Sequence, residues 1–482
     1  MYLGLDLGTS GIKAMLMDDS QRVIGVGHAA LTVQRPHSGW SEQAPGDWIR
    51  ATEEAVGALK ASHAKELAAV KGIGLSGHMH GATLIDAKDR VLRPCILWND
   101  TRSHEEAAAL DADPRFRALT GNIVFPGFTA PKFAWVAKHE PDTFAKVAKV
   151  LLPKDFLRLW LTGEYLSDMS DSAGTAWLDT GKRAWSTELL AATGLAVEQM
   201  PGLVEGTERA GTLRGELAAK WGICSDVVVA GGAGDNAASA CGMGTVAEGH
   251  AFVSLGTSGV LFAANGSYLP KPESAVHAFC HALPNTWHQM GVILSATDAL
   301  NWHSGVTGKS AGELTAELGD DLKAPTGVTF LPYLSGERTP HNDAKIRGAF
   351  IGLGHDSSRA VLTQAVVEGV TFAIRDSLEA LKSAGTKIDR VTAIGGGSRS
   401  RYWLASIATA LDMPVDVPAD GDFGAAFGAA RLGLIAATGA DPLSVCTAPE
   451  TAETITPVKA LSGAYEEAYR RYRSVYPAIK GL

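Results

Sequence analysis

At 482 residues the chain is too long for one compact core, so two or three domains are expected. Its composition, 46% hydrophobic and 20% charged, is that of a globular protein, and a formal net charge of −9 argues against a nucleic-acid or anionic-membrane partner. Five cysteines without paired spacing, no apolar run of the roughly 18 residues a bilayer needs, and an N-terminus without a basic leader read as a cytoplasmic protein.

The chain opens as a β-meander: Tyr2 to Leu7, Ile12 to Met17 and, after the turn Asp18-Asp19-Ser20, Val23 to Val26. A helix follows with Trp48, Ile49, Thr52, Ala55, Val56 and Leu59 on one face and Asp47 as its expected N-cap. A buried strand, Val70 to Ser76, leads into Gly77-His78-Met79-His80-Gly81. The stretch Ala82 to Trp98 reads as a hairpin ending in Leu97-Trp98-Asn99-Asp100. From Ser103 to Lys220 the pattern is mostly helical, with loops at Phe125-Pro126-Gly127 and from Asp168 to Gly174. A short strand, Val227 to Ala230, then enters Gly231-Gly232-Ala233-Gly234-Asp235, and a small-residue helix, Ala237 to Gly244, closes the first half.

The second half restarts with a repeat. Leu255-Gly256-Thr257-Ser258-Gly259 copies Leu7-Gly8-Thr9-Ser10-Gly11 letter for letter, and each copy lies between two apolar runs. Each therefore reads as strand, tight turn and returning strand, whose hydroxyls and free amides suit phosphate oxygens. The repeat suggests a duplicated domain with one phosphate loop per half, divided near Gly244 into 1–244 and 245–482. Further on, Val391 to Ile394 enters Gly395-Gly396-Gly397-Ser398 ahead of a helix carrying Trp403, Leu404, Ile407, Ala408 and Leu411. Gly421 to Leu432 reads as a small-residue helix suited to close backbone packing, and the last twenty residues as an amphipathic helix.

Four features carry chemistry. Asp6 precedes the first copy of the repeat where Ser254 precedes the second; a carboxylate at the end of a buried strand makes sense beside a phosphate loop if it holds Mg²⁺. Lys13, just past that loop, is placed to cover phosphate charge, or else is a solvated surface lysine. Gly396 and Gly397 form a strand–helix turn whose amides suit a nucleotide, although neither a Walker loop nor a dinucleotide fingerprint is present. Asp235, at a helix start inside a glycine run that clears space around its carboxylate, is either an N-cap or a proton acceptor for phosphoryl transfer. Among the histidines, His78 and His80 would share a strand face, and His277 and His281 stand four apart around Cys280. Neither pair has a further ligand at matching spacing, which argues against zinc and leaves hydrogen bonding to a polyhydroxylated ligand or, for His277, a place in the core.

Taken together these residues resemble the FGGY carbohydrate kinases, which share the fold of actin, hexokinase and the heat-shock ATPase. Gly4 to Ser10 is similar to the family's first phosphate motif, Gly127 to Trp135 to its first signature, and Gly348 to Leu353 with Glu368-Gly369 to its second, where Val361 replaces a usually polar residue. Within the family, Met79-His80-Gly81, Trp40-Ser41-Glu42-Gln43, Leu97 to Asp100 and Phe330 to Arg338 resemble members that act on D-xylulose; the Arg-Glu pair of the glycerol-specific members is missing. The resemblance implies an α/β protein of two actin-like (ribonuclease H-like) ATPase domains with a cleft between them. It implies ATP on the second domain, its adenosine near Gly396 and Gly397 and its phosphates between Thr9, Ser10 and Lys13 on one side and Gly256 and Thr257 on the other. Mg²⁺ would be held by Asp6, and D-xylulose by Met79, His80, Asn99 and Asp235, with Asp235 taking the proton of the C5 hydroxyl. Two other readings stand beside it: a sister kinase for another ketopentose, a pentitol or gluconate, and a non-catalytic actin-like ATP-binding protein. A homodimer is compatible with each.

Overall fold

The computed structural model describes residues 1–419, 421 and 423–481. Strands β1 (Tyr2–Gly8), β2 (Gly11–Met17) and β3 (Val23–Ala30) form the expected meander. Helix α1 (Pro45–Leu67) packs on β2 and β3 and buries Trp48, Ala51, Ala55, Val56 and Leu59. Its N-cap is Ala44, not Asp47: Pro45 takes the first helical position, where a missing N–H costs nothing, and Asp47 falls inside the first turn. Strand β4 (Gly72–Gly77) runs parallel to β1. Helices α2 (Thr129–His139) and α3 (Pro153–Thr162) follow, then β5 (Val228–Ala230), parallel to β4, and α4 (Asp235–Met243).

Two stretches of the first half depart from the sequence reading. Ala82 to Trp98 is only loosely a hairpin, because Thr83–Ile85 pairs with Lys149–Leu151 and Cys95–Ile96 pairs with Glu42–Gln43. The loop expected from Asp168 to Gly174 is the end of a strand, a four-residue helix (Met169–Ser172) and a 3₁₀ turn (Ala173–Thr175). There the Asp168 carboxylate accepts from the amides of Ser170 and Asp171, capping a helix in a segment whose polar residues suggest a loop.

The second half repeats the plan. β6 (Gly249–Leu255), β7 (Gly259–Asn265) and β8 (Trp287–Ile293) are antiparallel; after α5 (Arg359–Ser383), β9 (Ile388–Ile394) joins β6 in parallel. Helix α6 (Arg401–Leu411), β10 (Val415–Pro418) and α7 (Ala425–Thr438) complete it. The strand orders β3-β2-β1-β4-β5 and β8-β7-β6-β9-β10 are the same, so the duplication suggested by five repeated letters extends to five strands of each sheet.

Of the small-residue stretch 421–432, the helix takes up Ala425 onward; Asp422 lies outside the described residues. This second-half helix lies across β1 and β4 of the first sheet and against α4. The approach is backbone to backbone. A Cβ on Gly74 would sit 1.7 Å from the Ala429 carbonyl oxygen, and one on Gly428 1.7 Å from that of Ala238, so any side chain there would force the halves apart. Among the described residues no helix is long and apolar enough to cross a membrane.

Candidate active site

The carboxyl ends of β1 and β4 form the floor of the site. Register places Lys13, Asp6, Ser76 and Ala233 in one row across four strands, and Gly234 beside Gly77. Gly234 caps α4, and Asp235 is its first helical residue, so the N-cap reading of Asp235 does not hold. The Asp235 Oδ1 accepts from the Asn236 amide (2.7 Å) and from its side-chain nitrogen (2.9 Å). Burial, and next the charge of Asp6, push the Asp235 carboxyl up to about 6, a range suited to a base near neutral pH. Burial also raises Asp6, against the pull of the Ser76 hydroxyl and the Lys13 ammonium. Among the described residues the Asp6 Oδ1 is buried with no hydrogen-bond partner. An orphaned carboxylate oxygen facing a second carboxylate fits a divalent cation, which takes hard oxygen ligands and retains water.

The glycines before Asp235 do not clear space around its carboxylate, as the sequence suggests; they make room for the protein itself. A Cβ on Gly234 would meet the Met79 Cγ at 2.8 Å, and Gly232, at φ +73°, lies against the Leu75 carbonyl oxygen.

His78 and His80 do not share a face, because the strand ends at Gly77 and His80 adopts φ +72°. His78 packs edge-on against Trp48, with centroids 5.8 Å apart, whereas His80 stacks on Phe128 at 4.8 Å. The left-handed backbone of His80 is held by its carbonyl, which accepts from the Thr129 hydroxyl (3.1 Å) and the Lys132 ammonium (2.9 Å). Lys132, buried on α2, also donates to the Gly127 carbonyl at 2.5 Å, and burial lowers its pKa to about 7. The His80 Nδ1 lies 2.6 Å from the Gly174 carbonyl, which can only accept; Nδ1 therefore carries the proton and Nε2 presents a lone pair.

His80 borders a cavity of about 210 Å³ with Trp98, Asn99, Phe125, His277 and Arg338. Among the described residues the Asn99 Oδ1 is buried without a partner, while its neighbour Asp100 is held by the Ser41 amide and Arg102. Two acceptors, His80 Nε2 and Asn99 Oδ1, thus await hydroxyl donors in an aromatic pocket, which suits a polyol. Met79 is buried beneath, packed against Gly174 and Gly234. Lys132 and Arg338 also meet at this site, although nothing in the sequence motifs that contain them gives either a role.

His277 lies on the strand His277–Cys280, so the four-residue spacing to His281 is not helical. His281 Nε2 turns to the Thr245 carbonyl and His277 Nε2 to Arg338, so the two rings do not converge on one point among the described residues. Asp155, Asp168 and Asp171 do converge, but the Lys154 Nζ sits 2.5, 2.8 and 3.6 Å from them and already supplies the cation.

In the second half, a cavity of about 620 Å³ is bordered by Gly396, Gly397, Thr297, Asn301, Gly312 and Arg401. Gly396 opens to it, since a Cβ there would touch nothing within 4 Å; Gly397 packs on Leu255 and Trp403. The glycine run forms a 3₁₀ turn, Gly396–Arg399, and the helix starts only at Arg401, capped by Ser400. Each repeated loop is tied to a residue that borders one of these cavities, and the two loops differ. In the first, Gly8 pairs with Gly11 around a two-residue turn, Thr9-Ser10. In the second, Leu255 pairs with Gly259 around three residues, Gly256-Thr257-Ser258. Trp98 Nε1 donates to the Thr9 hydroxyl at 3.0 Å, whereas the second loop is tied by Thr297, whose amide and hydroxyl both donate to the Gly256 carbonyl. Ser10 and Thr257 are exposed at the turns.

Residues 1–242 match the N-terminal domain of the FGGY family of carbohydrate kinases, and residues 251–437 match its C-terminal domain. The chain belongs to that family. It is 51% identical over 441 residues to a xylulose kinase of Escherichia coli (strain K12), covering 91% of this chain and 90% of the relative. A xylulose kinase of Bacillus subtilis (strain 168) is 33% identical over 488 residues, covering 100% and 97%. Among solved structures, a xyloylose kinase from Brucella ovis superposes with a TM-score of 0.98 at 71% identity, covering 99% of both chains. A xylulose kinase from Rhodospirillum rubrum does so with 0.93 at 29% identity, covering 99% of this chain and 98% of that one. The two α/β units are thus those of an FGGY sugar kinase, an ATP-dependent enzyme, and the non-catalytic actin-like reading falls away.

Proposed function

We propose that this kinase transfers the terminal phosphoryl group of ATP to the C5 hydroxyl of D-xylulose, giving D-xylulose 5-phosphate. The observation that carries the chemistry is Asp235, raised to about 6 at the start of α4, with the orphaned Asp6 carboxylate near enough to perturb it. The choice of sugar is supported by the xylulose kinases the chain resembles and by the acceptor pair His80 and Asn99 in a pocket of sugar size.

In this reading Asp235 accepts the hydroxyl proton, while Met79, His80 and Asn99 hold the sugar. Thr9, Ser10 and Lys13 face the phosphates from the first half, and Gly256 and Thr257 from the second; Gly396 and Gly397 border the space for the base. Asp6 would hold Mg²⁺, which when bound neutralises phosphate charge. Labour is divided between 1–244, which takes the sugar, and 245–482, which takes the nucleotide. Closure of one on the other would exclude water and limit idle ATP hydrolysis. Five cysteines, all free in the structure, suit a reducing cytoplasm, and light scattering distinguishes a monomer from the homodimer.

The test is ATP consumption with and without D-xylulose, for the wild type and Asp235→Ala. We expect sugar-dependent turnover in the first and a loss of about two to four orders of magnitude in the second. Undiminished sugar phosphorylation by the variant would refute the assigned base, and a clear preference for ribulose, a pentitol or gluconate across a sugar panel would move the substrate.

A further inference from the structure

Arg338 belongs to the second half yet borders the cavity that His80, Asn99 and Phe125 build from the first. Its Nη1 lies 3.3 Å from His277 Nε2, and its guanidinium carbon 4.6 Å from the Phe125 ring centroid. A guanidinium only donates, so His277 Nε2 is the acceptor in that pair, and among the described residues the Arg338 side chain has no other hydrogen-bond partner. Among the described residues no salt bridge reaches it; burial lowers its pKa, and the charge of the adjacent Glu337 opposes that. Its neighbour Glu337 turns Oε1 to the amides of Leu294 (3.0 Å) and Arg338 (2.7 Å), and burial holds that carboxyl up to about 8. A half-buried cation with no ion pair among the described residues, bordering a pocket that also holds the acceptors His80 Nε2 and Asn99 Oδ1 and the neutral donor His277 Nδ1, favours a ligand oxygen that accepts.

The chemistry of a ketopentose provides one. Such a sugar can close its furanose ring only through the C5 hydroxyl, so phosphorylation at C5 requires the open chain, in which the C2 carbonyl is free. Hydroxyls can satisfy His80 Nε2 and Asn99 Oδ1, but a carbonyl oxygen needs a donor; His277 Nδ1 and the Asn99 amide nitrogen are neutral donors, and Arg338 is the one cation among the described residues bordering the cavity, so it offers the strongest hydrogen bond. We propose that Arg338 donates to the carbonyl end of the open-chain ketose, and so selects ketoses over pentitols while tying the sugar to the nucleotide half. This rests on the cavity being the sugar site.

Arg338→Met and Arg338→Lys test it by a ratio. For each, kcat/KM is measured with D-xylulose, and with the two pentitols obtained by reducing its carbonyl, or their inhibition constants where turnover is too slow. Loss of one charge-assisted hydrogen bond predicts a fall of about 10- to 100-fold for the ketose in Arg338→Met, with the pentitols changed by less than about threefold. Arg338→Lys should fall between, and KM for ATP should hold within about twofold. Equal losses for ketose and pentitols, or an unaffected ketose, overturn the inference. Because the ratio is internal to each protein, reduced folding of a variant does not imitate the result, and should Arg338→Met be inactive, the ratio in Arg338→Lys decides. A wild type that phosphorylates no ketose overturns the proposed function itself.

Discussion

Two identical pentapeptides fold into different hairpins. The first closes a two-residue turn and the second a three-residue turn, which slips the returning strand by one position. With a side-chain period of two, a one-residue slip exchanges the faces of a strand. Ile12 is buried and Lys13 half-buried, whereas Val260 is half-buried and Leu261 buried, although the two pairs follow the same five letters. The first hairpin thereby keeps a cation next to Asp6; the second fills the same sequence position with core. Local sequence set the turn region, and tertiary bonds, Trp98 to Thr9 on one side and Thr297 to Gly256 on the other, accompany the register.

The sharpest way to break this comparison is at the strand ends, where Asp6 stands opposite Ser254. Removing the orphaned carboxylate in Asp6→Ser should lower kcat by about two to three orders of magnitude, on the scale of other preorganised electrostatic groups. Ser254→Ala should stay within about threefold, as a half-buried hydroxyl outside such a network. Comparable losses in steady-state kinetics would mean that the two loops do the same work after all.

Stability probes the register itself. Leu261→Lys places an ammonium in the second core and should cost about 3–5 kcal/mol in urea unfolding, the range for an uncompensated buried charge. Lys13→Leu, the mirror exchange at a half-buried position, takes an ammonium from beside Asp6 but buries no new charge, so it should cost less than Leu261→Lys while reducing activity. Were the two exchanges equally destabilising, the slip between the hairpins would be absent in solution.

The parts of the fold legible in the sequence are those written in local chemistry. The first meander, the strand–turn–strand that opens the second half, the β4 and β9 strands, the breaks at Gly231 and Gly395, and the small residues of α7 follow from hydrophobic periodicity and glycine placement. Asp6 and Asp235 draw notice in the sequence on different grounds: Asp6 because a carboxylate at the end of a buried strand is costly without a charge to meet there, Asp235 because it stands at a helix start in a glycine run. What stayed hidden depends on contacts distant in sequence. Nothing local marks His80 for a left-handed backbone; that conformation rests on Lys132 and Thr129, some fifty residues later. Nor does anything near Arg338 announce that a second-half side chain ends in a first-half pocket. The glycines around Asp235 are legible as glycines, but whether they clear space for ligand or for Met79 is a question of packing.

The smallest effect concerns protons, and it separates the halves by charge. Asp235 has its carboxyl raised to about 6 from 3.8 by burial and then by Asp6, so a base that works ionised should give kcat/KM rising tenfold per pH unit and levelling above about pH 6. The same shift has a stability consequence of opposite sense. A carboxyl whose folded pKa is raised binds its proton more tightly when folded, so it contributes stability at low pH that is lost as pH rises from about 4 through 6. Above that range the folded protein carries the cost of an ionised, buried group beside Asp6. Asp235→Asn keeps the shape and removes the charge, so it should melt higher than the wild type at pH 7.5, with the difference vanishing below about pH 4. Asp6→Ser should recover part of the same gain, because it removes the second cause of the shift, whereas Ser254→Ala should leave the pH dependence of melting unchanged. An Asp235→Asn protein no more stable than the wild type at pH 7.5 would mean that the floor of the first half is not strained by its own charge. In that case the inactivity of the variant could not be read as the removal of a base held ready at some cost to the fold.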